Sequence, residues 1–261
     1  LVEISGTGTL SNTDPIKITS TGSQSFNGKI NLSKILNITS DGKLTIATQS
    51  DFTNAGTIKA IGVEINAKGD FTNEGKIDSS NADIRIESAS FTNGAQKEIS
   101  AKNMSIDSGT VTNVGILTAT GDLSIIATSI TNIGKIKAQN GELETTEANI
   151  LFGGNSENTF TGKLVVTAAT DFENKGTIEV TSGNFSANVK NNFANNSQIT
   201  VTTGKLLVNP VINFTNAGTI KAVGVEIDAT GIFFFLWTIA STSGDVNIKS
   251  ASFTNDAEKE I

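Results

Sequence analysis

Residues 52–58 read Phe-Thr-Asn-Ala-Gly-Thr-Ile, and this phrase recurs along most of the chain. Its pattern is an apolar residue, any residue, Asn, any residue, Gly, any residue, and then Ile or Leu. Steps between copies are roughly 19 to 22 residues, the length of one turn of a solenoid. Copies with both Asn and Gly begin at Phe71, Val111, Ile130, Phe172 and Phe214, and looser copies with the Asn alone begin at Phe91, Phe193 and Phe253.

Within a repeat, apolar and polar residues alternate. Apolar Val63, Ile65 and Ala67 are separated by polar Glu64 and Asn66. This period of two is typical of a β-strand with one buried face. Gly clustered with Asn, Asp or Ser separates such stretches. The sequence therefore predicts an all-β parallel β-helix of about twelve turns of roughly 20 residues, with irregular coils over 1–36 and the repeat in one continuous domain over 37–261.

The recurring Asn and Phe residues are predicted to stack from turn to turn. Asn tolerates the left-handed backbone of a tight turn, and its amide both donates and accepts hydrogen bonds. At a spacing of ~4.8 Å, successive amides can bond into a ladder. A ligand-contact role for some of these residues stays open as an alternative. The predicted ladder is Asn54, Asn73, Asn93, Asn113, Asn132, Asn174, Asn195, Asn216 and Asn255, and the predicted core stack is Phe52, Phe71, Phe91, Phe172, Phe193, Phe214 and Phe253.

Composition excludes several function classes. The chain has no Cys and no His, so it has no disulfides, no thiolate metal site and no histidine base. We expect no cofactor and no metal. The net charge of -7 and the scattered Lys residues argue against nucleic acid as a partner. No run approaches the roughly 20 apolar residues of a membrane span. The chain starts at Leu1 without a signal segment, so we expect it to be a fragment of a longer protein.

A longer internal repeat contains one foreign segment. Residues 52–69 recur at 214–231 with three differences, an offset of 162. By this offset, Ile-Phe-Phe-Phe-Leu-Trp at 232–237 replaces Asp-Phe-Thr-Asn-Glu-Gly at 70–75. Compensating reading-frame changes or a selected contact site would each explain the replacement. Alternation points Ile232, Phe234 and Leu236 outward as a possible apolar contact patch, and we expect a distorted corner at Phe235 and Trp237.

With this phrase in almost every turn, the chain resembles the repeat region of filamentous haemagglutinin-like exoproteins, the two-partner secretion adhesins of Gram-negative bacteria. The resemblance implies a right-handed β-helix shaft that is secreted or displayed at the outer-membrane cell surface. It implies two kinds of partner: an outer-membrane secretion transporter, and a host cell or another bacterium bound through regions outside this fragment. The NPNG and NPNL motifs of the family's secretion domain and the VENN motif before toxin tips are absent. The chain is thus expected to be shaft, projecting a distal binding or toxin tip.

The sequence argues against two rival functions. Carbohydrate-active β-helix enzymes, such as polysaccharide lyases or hydrolases, need clustered carboxylates. The densest acidic group here, Glu142, Glu144 and Glu147, lacks a neighbouring Arg and reads as a solvated face, so we expect no enzyme. Ice binding through a flat Thr array is disfavoured because Thr-x-Thr does not recur in register.

Overall fold

The computed structural model describes the backbone of residues 2–4, 9–12, 16–20, 24–32, 36–79, 81–210 and 212–255, and the side chains of 38–79, 81–209 and 212–254. Every regular element among these residues is a β-strand. The chain divides into two compact units, Leu1–Ala127 and Thr128–Ile261.

The strands are short and follow one another with little intervening chain. The first unit contains β1 (Val2–Ile4), β2 (Thr9–Asn12), β3 (Ile16–Ser20), β4 (Gln24–Leu32), β5 (Leu36–Ser40), β6 (Leu44–Thr48), β7 (Phe52–Asn54), β8 (Thr57–Lys59), β9 (Val63–Ala67), β10 (Asp70–Asn73), β11 (Lys76–Ser79), β12 (Ile84–Asn93), β13 (Glu98–Ala101), β14 (Met104–Asn113) and β15 (Ile116–Ala119).

The division between the units falls inside β16 (Asp122–Asn132). The second unit continues with β17 (Lys135–Ala138), β18 (Asn140–Thr145), β19 (Ile150–Phe152), β20 (Glu157–Phe160), β21 (Leu164–Ala168), β22 (Phe172–Asn174), β23 (Thr177–Val180), β24 (Phe185–Val189), β25 (Asn192–Asn195), β26 (Gln198–Val201), β27 (Lys205–Pro210), β28 (Asn213–Asn216), β29 (Thr219–Ala222), β30 (Gly224–Asp228), β31 (Ile232–Phe235), β32 (Ile239–Ser241), β33 (Val246–Lys249) and β34 (Ser252–Asn255).

Each turn supplies three strands, and equivalent strands of successive turns pair in parallel. In the first unit, β9 pairs with β6 and with the first half of β12, which forms one column. The strand β10 pairs with β7 and with the second half of β12, and β11 pairs with β8 and β13. Parallel pairing between residues about twenty apart confirms the predicted parallel β-helix, at roughly 20 residues per turn.

The second unit repeats the same three columns. Its first column is β18, β21, β24, β27, β30 and β33, its second is β19, β22, β25, β28, β31 and β34, and its third is β17, β20, β23, β26, β29 and β32. All of these pairings are parallel. The register aligns equivalent residues of the repeat, as in Phe193 with Phe214 and Asn195 with Asn216.

The core of each unit lies inside the turns, because alternate residues of every strand point inward. In β9, Val63, Ile65 and Ala67 are buried while Glu64 and Asn66 are half-buried. Burying a large apolar side chain stabilises the fold by about 1.5–3 kcal/mol, and parallel pairing satisfies the backbone groups between the turns. The inward positions are therefore mostly Ile, Val, Leu, Phe and Ala, with the recurring Asn as the main polar exception.

The left-handed turn role predicted for the recurring Asn is wrong. Each ladder Asn of the described turns is the last residue of an extended strand, as Asn73 is in β10. Among the described residues, positive φ occurs only at Gly62 and at Gln96, which lies in the longer corner after Asn93. The amide chemistry of Asn, and not its tolerance of the left-handed region, therefore explains its recurrence.

Residues 1–36 also contain paired strands. The strand β3 pairs in parallel with β5, and β4 pairs with β1, β2 and β6. Their side chains lie outside the described residues. The predicted division into 1–36 and 37–261 stays a prediction.

Candidate functional site

The asparagines of the first unit form a continuous hydrogen-bonded ladder. Nδ2 of Asn54 donates to Oδ1 of Asn73 at 2.8 Å, and Asn73 donates to Asn93 at the same distance. Asn93 donates in turn to Asn113 at 2.8 Å. All four side chains are buried. Polar groups this deep are costly unless bonded, so the ladder is what permits an Asn at this position in each of these turns.

The same amides hold the corner that follows each strand. Nδ2 of Asn54 donates to the carbonyl oxygen of Gly56 at 3.3 Å, and its Oδ1 accepts from the Gly56 amide at 3.3 Å. Asn73 makes the same pair of contacts with Gly75, at 3.2 and 3.4 Å. The Asn-x-Gly spacing of the repeat thus places the glycine backbone where the Asn side chain can form hydrogen bonds with it.

The glycine of the phrase is required by the close stacking of corners. A Cβ at Gly75 would overlap the backbone of Gly56 in the turn before, and a Cβ at Gly218 would overlap that of Ser197. Neither glycine has positive φ. The repeat therefore keeps Gly where two corners touch.

A second ladder runs through the second unit. Asn174 donates to Asn195 at 2.9 Å, and Asn195 donates to Asn216 at 2.7 Å. All three residues are buried. The structure thus contains an asparagine ladder within each unit. The side chain of Asn255 lies outside the described residues.

Phe152 interrupts the ladder of the second unit. In the strand register it lies between Asn132 and Asn174, at the place of an Asn. Asn132 instead donates to Oδ1 of Asn158, on the neighbouring column, at 2.7 Å. Oδ1 of Asn174 has no hydrogen-bond partner, and it is the sole such buried side-chain oxygen or nitrogen in the described part of the chain.

Asn158 is a ladder residue that the sequence did not indicate. It follows no apolar leader, and its strand neighbours in the third column are Ile136 and Ile178. A signal did exist nearby, because Ile150 begins a turn in which Phe152 takes the Asn position. Because Phe152 cannot accept a hydrogen bond from Asn132, the sequence indicates that another polar group must do so.

The leading phenylalanines stack along the second column of each unit. In the first unit, the ring centroids of Phe52, Phe71 and Phe91 are 5.5 Å apart in each successive pair. In the second unit, the successive rings of Phe172, Phe193, Phe214, Phe233 and Phe253 are 5.0–5.2 Å apart. Phe253 is 49% exposed, whereas the other predicted members are buried. Five further buried rings lie outside the predicted core stack: Phe152, Phe160, Phe185, Phe233 and Phe235.

The foreign segment is accommodated without a change of register. Phe233 pairs with Phe214 and Phe253, and Phe235 lies opposite Asn216 and Asn255. The expected bulky corner at Phe235 is wrong, because this ring is fully buried beside Phe233, with centroids 6.3 Å apart. The corner differs in one respect: β32 begins at Ile239, one residue later than the offset of 162 from β11 would place it.

The outward residues of this segment form an apolar patch. Ile232 is 51% exposed and Trp237 is 54% exposed, while Phe234 and Leu236 are half-buried. Ile212, which precedes the neighbouring strand β28, is 44% exposed. We refer to Ile212, Ile232, Phe234, Leu236 and Trp237 as the apolar patch.

Charged side chains lie on the outer surface, and some of them form pairs of opposite charge. Lys76 contacts Glu98 at 3.0 Å, and this hydrogen bond, with a second from Ser100, lowers the pKa of Glu98 below its ordinary 4.5. The same contact raises the pKa of Lys76 above 10.5. Hydrogen bonds likewise raise the pKa of Arg85 beside Glu87 and that of Lys205 beside Glu226. Water screens such exposed pairs, so they contribute little to stability.

The acidic group considered for catalysis lies on the outer surface. Glu142 and Glu147 are exposed and Glu144 is half-buried. In the next turn, Val165 lies opposite Glu142 and Thr167 opposite Glu144, so neither faces a second carboxylate there. Across the described residues, no group of three His, Cys, Asp or Glu is placed to hold a metal ion. No helix long and apolar enough to cross a membrane occurs in the same residues.

A row of threonines lies on the outer face of the first unit. Thr53, Thr72, Thr92 and Thr112 occupy equivalent outward positions in the second column. The row is single, because Asp70 and Glu74 flank Thr72. Threonine side chains stacked on parallel strands favour sheet pairing, and a single row is not the flat array that ice binding needs.

Comparison with protein families agrees with this architecture. A family model described as "Haemagglutinin repeat" matches residues 4–75, 80–184 and 180–233. The chain belongs to the haemagglutinin-repeat family. The last match ends inside the foreign segment. Comparisons with curated proteins and with solved structures find no match.

Proposed function

We propose that this haemagglutinin-repeat chain is the structural shaft of a secreted or cell-surface bacterial adhesin, and that it holds a distal binding or toxin tip away from the cell. The family and the β-helix support an adhesin-like shaft. The single observation that carries the proposal is that the repeated residues point inward. The ladder Asn, the stacked Phe and the corner Gly serve the joining of one turn to the next.

The outer face supports the same proposal. Apart from the threonine row of the second column, outward positions change in charge and size from turn to turn, as in Lys76, Glu98 and Ile116 of the third column. A binding site that used the repeat would need the same chemistry at the same outward place in many turns. A spacer needs only soluble outer residues and a constant interior.

Secretion follows from the same family. The haemagglutinin-repeat family indicates a secreted or cell-surface protein. We infer a Gram-negative outer membrane, with export through an outer-membrane transporter of the two-partner type. The absence of Cys supports this inference, because disulfides would hinder a chain that passes unfolded through a pore. Contact with a host cell or another bacterium is assigned to regions outside this chain.

The internal duplication provides a test of the shaft. Deletion of residues 52–213 from the full-length protein joins Asp51 to Phe214, so the repeat continues in register. About eight turns are removed, which shortens the shaft by roughly 40 Å at ~4.8 Å per turn. We expect unchanged export, unchanged protease resistance and unchanged binding of the soluble protein to erythrocytes.

The matched control is a deletion out of register. Removing residues 52–203 joins Asp51 to Gly204, which places a first-column strand where a second-column strand is due. We expect this variant to lose export or protease resistance. Loss of erythrocyte binding by a well-folded in-register variant would place the binding site in the repeats and overturn the spacer role.

A further inference from the structure

The apolar patch has a matched polar counterpart in the same chain. By the offset of 162, Ile232, Phe234 and Leu236 stand where Asp70, Thr72 and Glu74 stand in the first copy. The strands β10 and β31 both pair with two neighbours in the same register. The same strand pairing therefore forms with polar or with apolar outward residues at these places, so the fold does not require the apolar ones.

The residues that pair with the patch on the two neighbouring strands are uncharged. On the neighbouring strands, Thr215 and Thr254 lie opposite Phe234, and Ser252 lies opposite Ile232. No charged residue occurs from 229 to 244, or from 206 to 220. Where charges resume in the first column, Asp228 contacts Lys249 at 3.3 Å and Glu226 contacts Lys205 at 2.6 Å.

From these observations we propose that the apolar patch is a contact site for a second copy of this chain. Two copies carry a net charge of -7 each and repel one another over most approaches. A charge-free apolar face is where that repulsion is weakest and where water release favours contact. It also lacks the charges that would select a partner of opposite sign. The same patch on both molecules makes a two-fold contact self-complementary.

The contact is expected to be weak. Exposed apolar patches of a few hundred Å² are below the ~800 Å² that each partner buries in a standard stable interface. The association should therefore depend strongly on concentration. Added salt should strengthen it, because salt screens the like-charge repulsion and leaves the apolar contact intact.

The test uses the residues of the first copy as replacements. Sedimentation velocity of the full chain, from micromolar to millimolar concentration, should show a reversible dimer. The triple variant Ile232→Asp, Phe234→Thr and Leu236→Glu should raise the dissociation constant at least about tenfold, equivalent to ~1.4 kcal/mol. Phe233 and Phe235 stay in place, and an unchanged unfolding midpoint shows that the variant is folded.

Two controls distinguish loss of the apolar contact from the effects of added charge and of substitution elsewhere on the surface. The neutral variant Ile232→Asn, Phe234→Thr and Leu236→Gln should lose the dimer as well. The pair Gln198→Glu and Thr200→Asp, which adds two negative charges on the third column, should retain it.

A gain-of-contact variant completes the test. Asp70→Ile, Thr72→Phe and Glu74→Leu should create a second patch and yield species larger than dimers. A wild-type chain that stays monomeric over the whole range would overturn the proposal, as would a dimer that persists in both triple variants of the patch. Loss of the dimer in the third-column control to the same extent would show that added charge alone is responsible.

Discussion

A ladder asparagine forms side-chain hydrogen bonds with both neighbouring turns. Nδ2 of Asn73 donates to the next turn while its Oδ1 accepts from the turn before. Both atoms also reach Gly75 in the same turn. No other side chain of this size has a donor and an acceptor arranged to serve both neighbours at once. This requirement explains why Asn is retained where the surrounding residues vary.

Removing one rung of the ladder should destabilise more than removing an outer asparagine. In Asn73→Ala, Asn54 loses its acceptor and Asn93 loses a donor, at a cost of about 1–3 kcal/mol for each stranded group. Asn66 is half-buried and bonds to Glu87 on the outer surface at 2.7 Å. Asn66→Ala is therefore the control. Chemical denaturation should show a lower midpoint for Asn73→Ala than for Asn66→Ala, and equal midpoints would contradict the ladder's role.

The interrupted rung gives a second prediction at the same scale. Asn174 donates to Asn195 but its Oδ1 accepts nothing, whereas Asn195 both accepts from Asn174 and donates to Asn216. Asn174→Ala should thus cost less than Asn195→Ala, by about 1–3 kcal/mol. Both side chains are buried, so the pair differs in bonding and not in exposure. Urea unfolding of the two variants measures the difference in the free energy of unfolding. A larger loss of stability for Asn174→Ala than for Asn195→Ala would contradict this prediction.

At the scale of strands and corners, the period of two and the repeat length were sufficient to predict parallel pairing. The inward and outward sets follow from alternation alone, as Val63 and Ile65 show against Glu64. The strand column in which a polar residue is buried could not be predicted from alternation in the same way. Asn158 is buried in the third column because Phe152 blocks the second, and that link depends on contact between columns.

The corner at Phe235 shows a second limit of sequence reasoning. Loss of Asn and Gly together predicted a bulky, distorted corner. Instead the ring of Phe235 occupies the inward place of the Asn and packs beside Phe233. The burial of a Phe side chain and the loss of a buried amide both favour this outcome. Alternation predicted the inward direction, but the room available inside the turn could be learned only from the packed structure.

The close contact between corners predicts different tolerance at two glycines. Gly75→Ala would place a methyl group against the backbone of Gly56, which has no side chain that could move away. Gly154 is the control, since a Cβ there would have its nearest heavy atom, the carbonyl oxygen of Lys175, at 3.9 Å. We expect Gly75→Ala to destabilise by about 1–3 kcal/mol and Gly154→Ala to change little. Thermal unfolding followed by circular dichroism compares them, and equal midpoints would show that the corners separate easily.

At the scale of the whole molecule, the repeat determines which residues are available for function. Residues that join the turns are buried in each unit. Apart from the single threonine row, the outward residues, mostly Thr, Lys, Glu, Asp and Asn, have no common arrangement in the described turns. The haemagglutinin-repeat family consists of non-enzymatic adhesins. A duplication of 162 residues lengthens such a protein without changing any turn, which suits a spacer.

The arrangement of carboxylates predicts that the chain does not cleave polysaccharides. Glycoside cleavage needs two carboxyl groups on either side of the bond, at about 5–9.5 Å. Glu142 and Glu144 lie on the outer face of β18, and the residues opposite them in the next turn are Val165 and Thr167. Neither of these can act as an acid or a base. Glu142 and Glu144 point outward two residues apart on one strand, so they lie side by side and not on opposite sides of a bound sugar.

The assay is release of reducing ends or unsaturated products from polygalacturonate and from a neutral glucan. We expect the folded chain to release no more than the heat-denatured chain. Glu142→Gln and Glu144→Gln should leave this background unchanged, because both carboxylates are solvated surface groups. Turnover by the folded chain that either substitution abolishes would establish an active site on β18, and the spacer role would then have to share this face with catalysis.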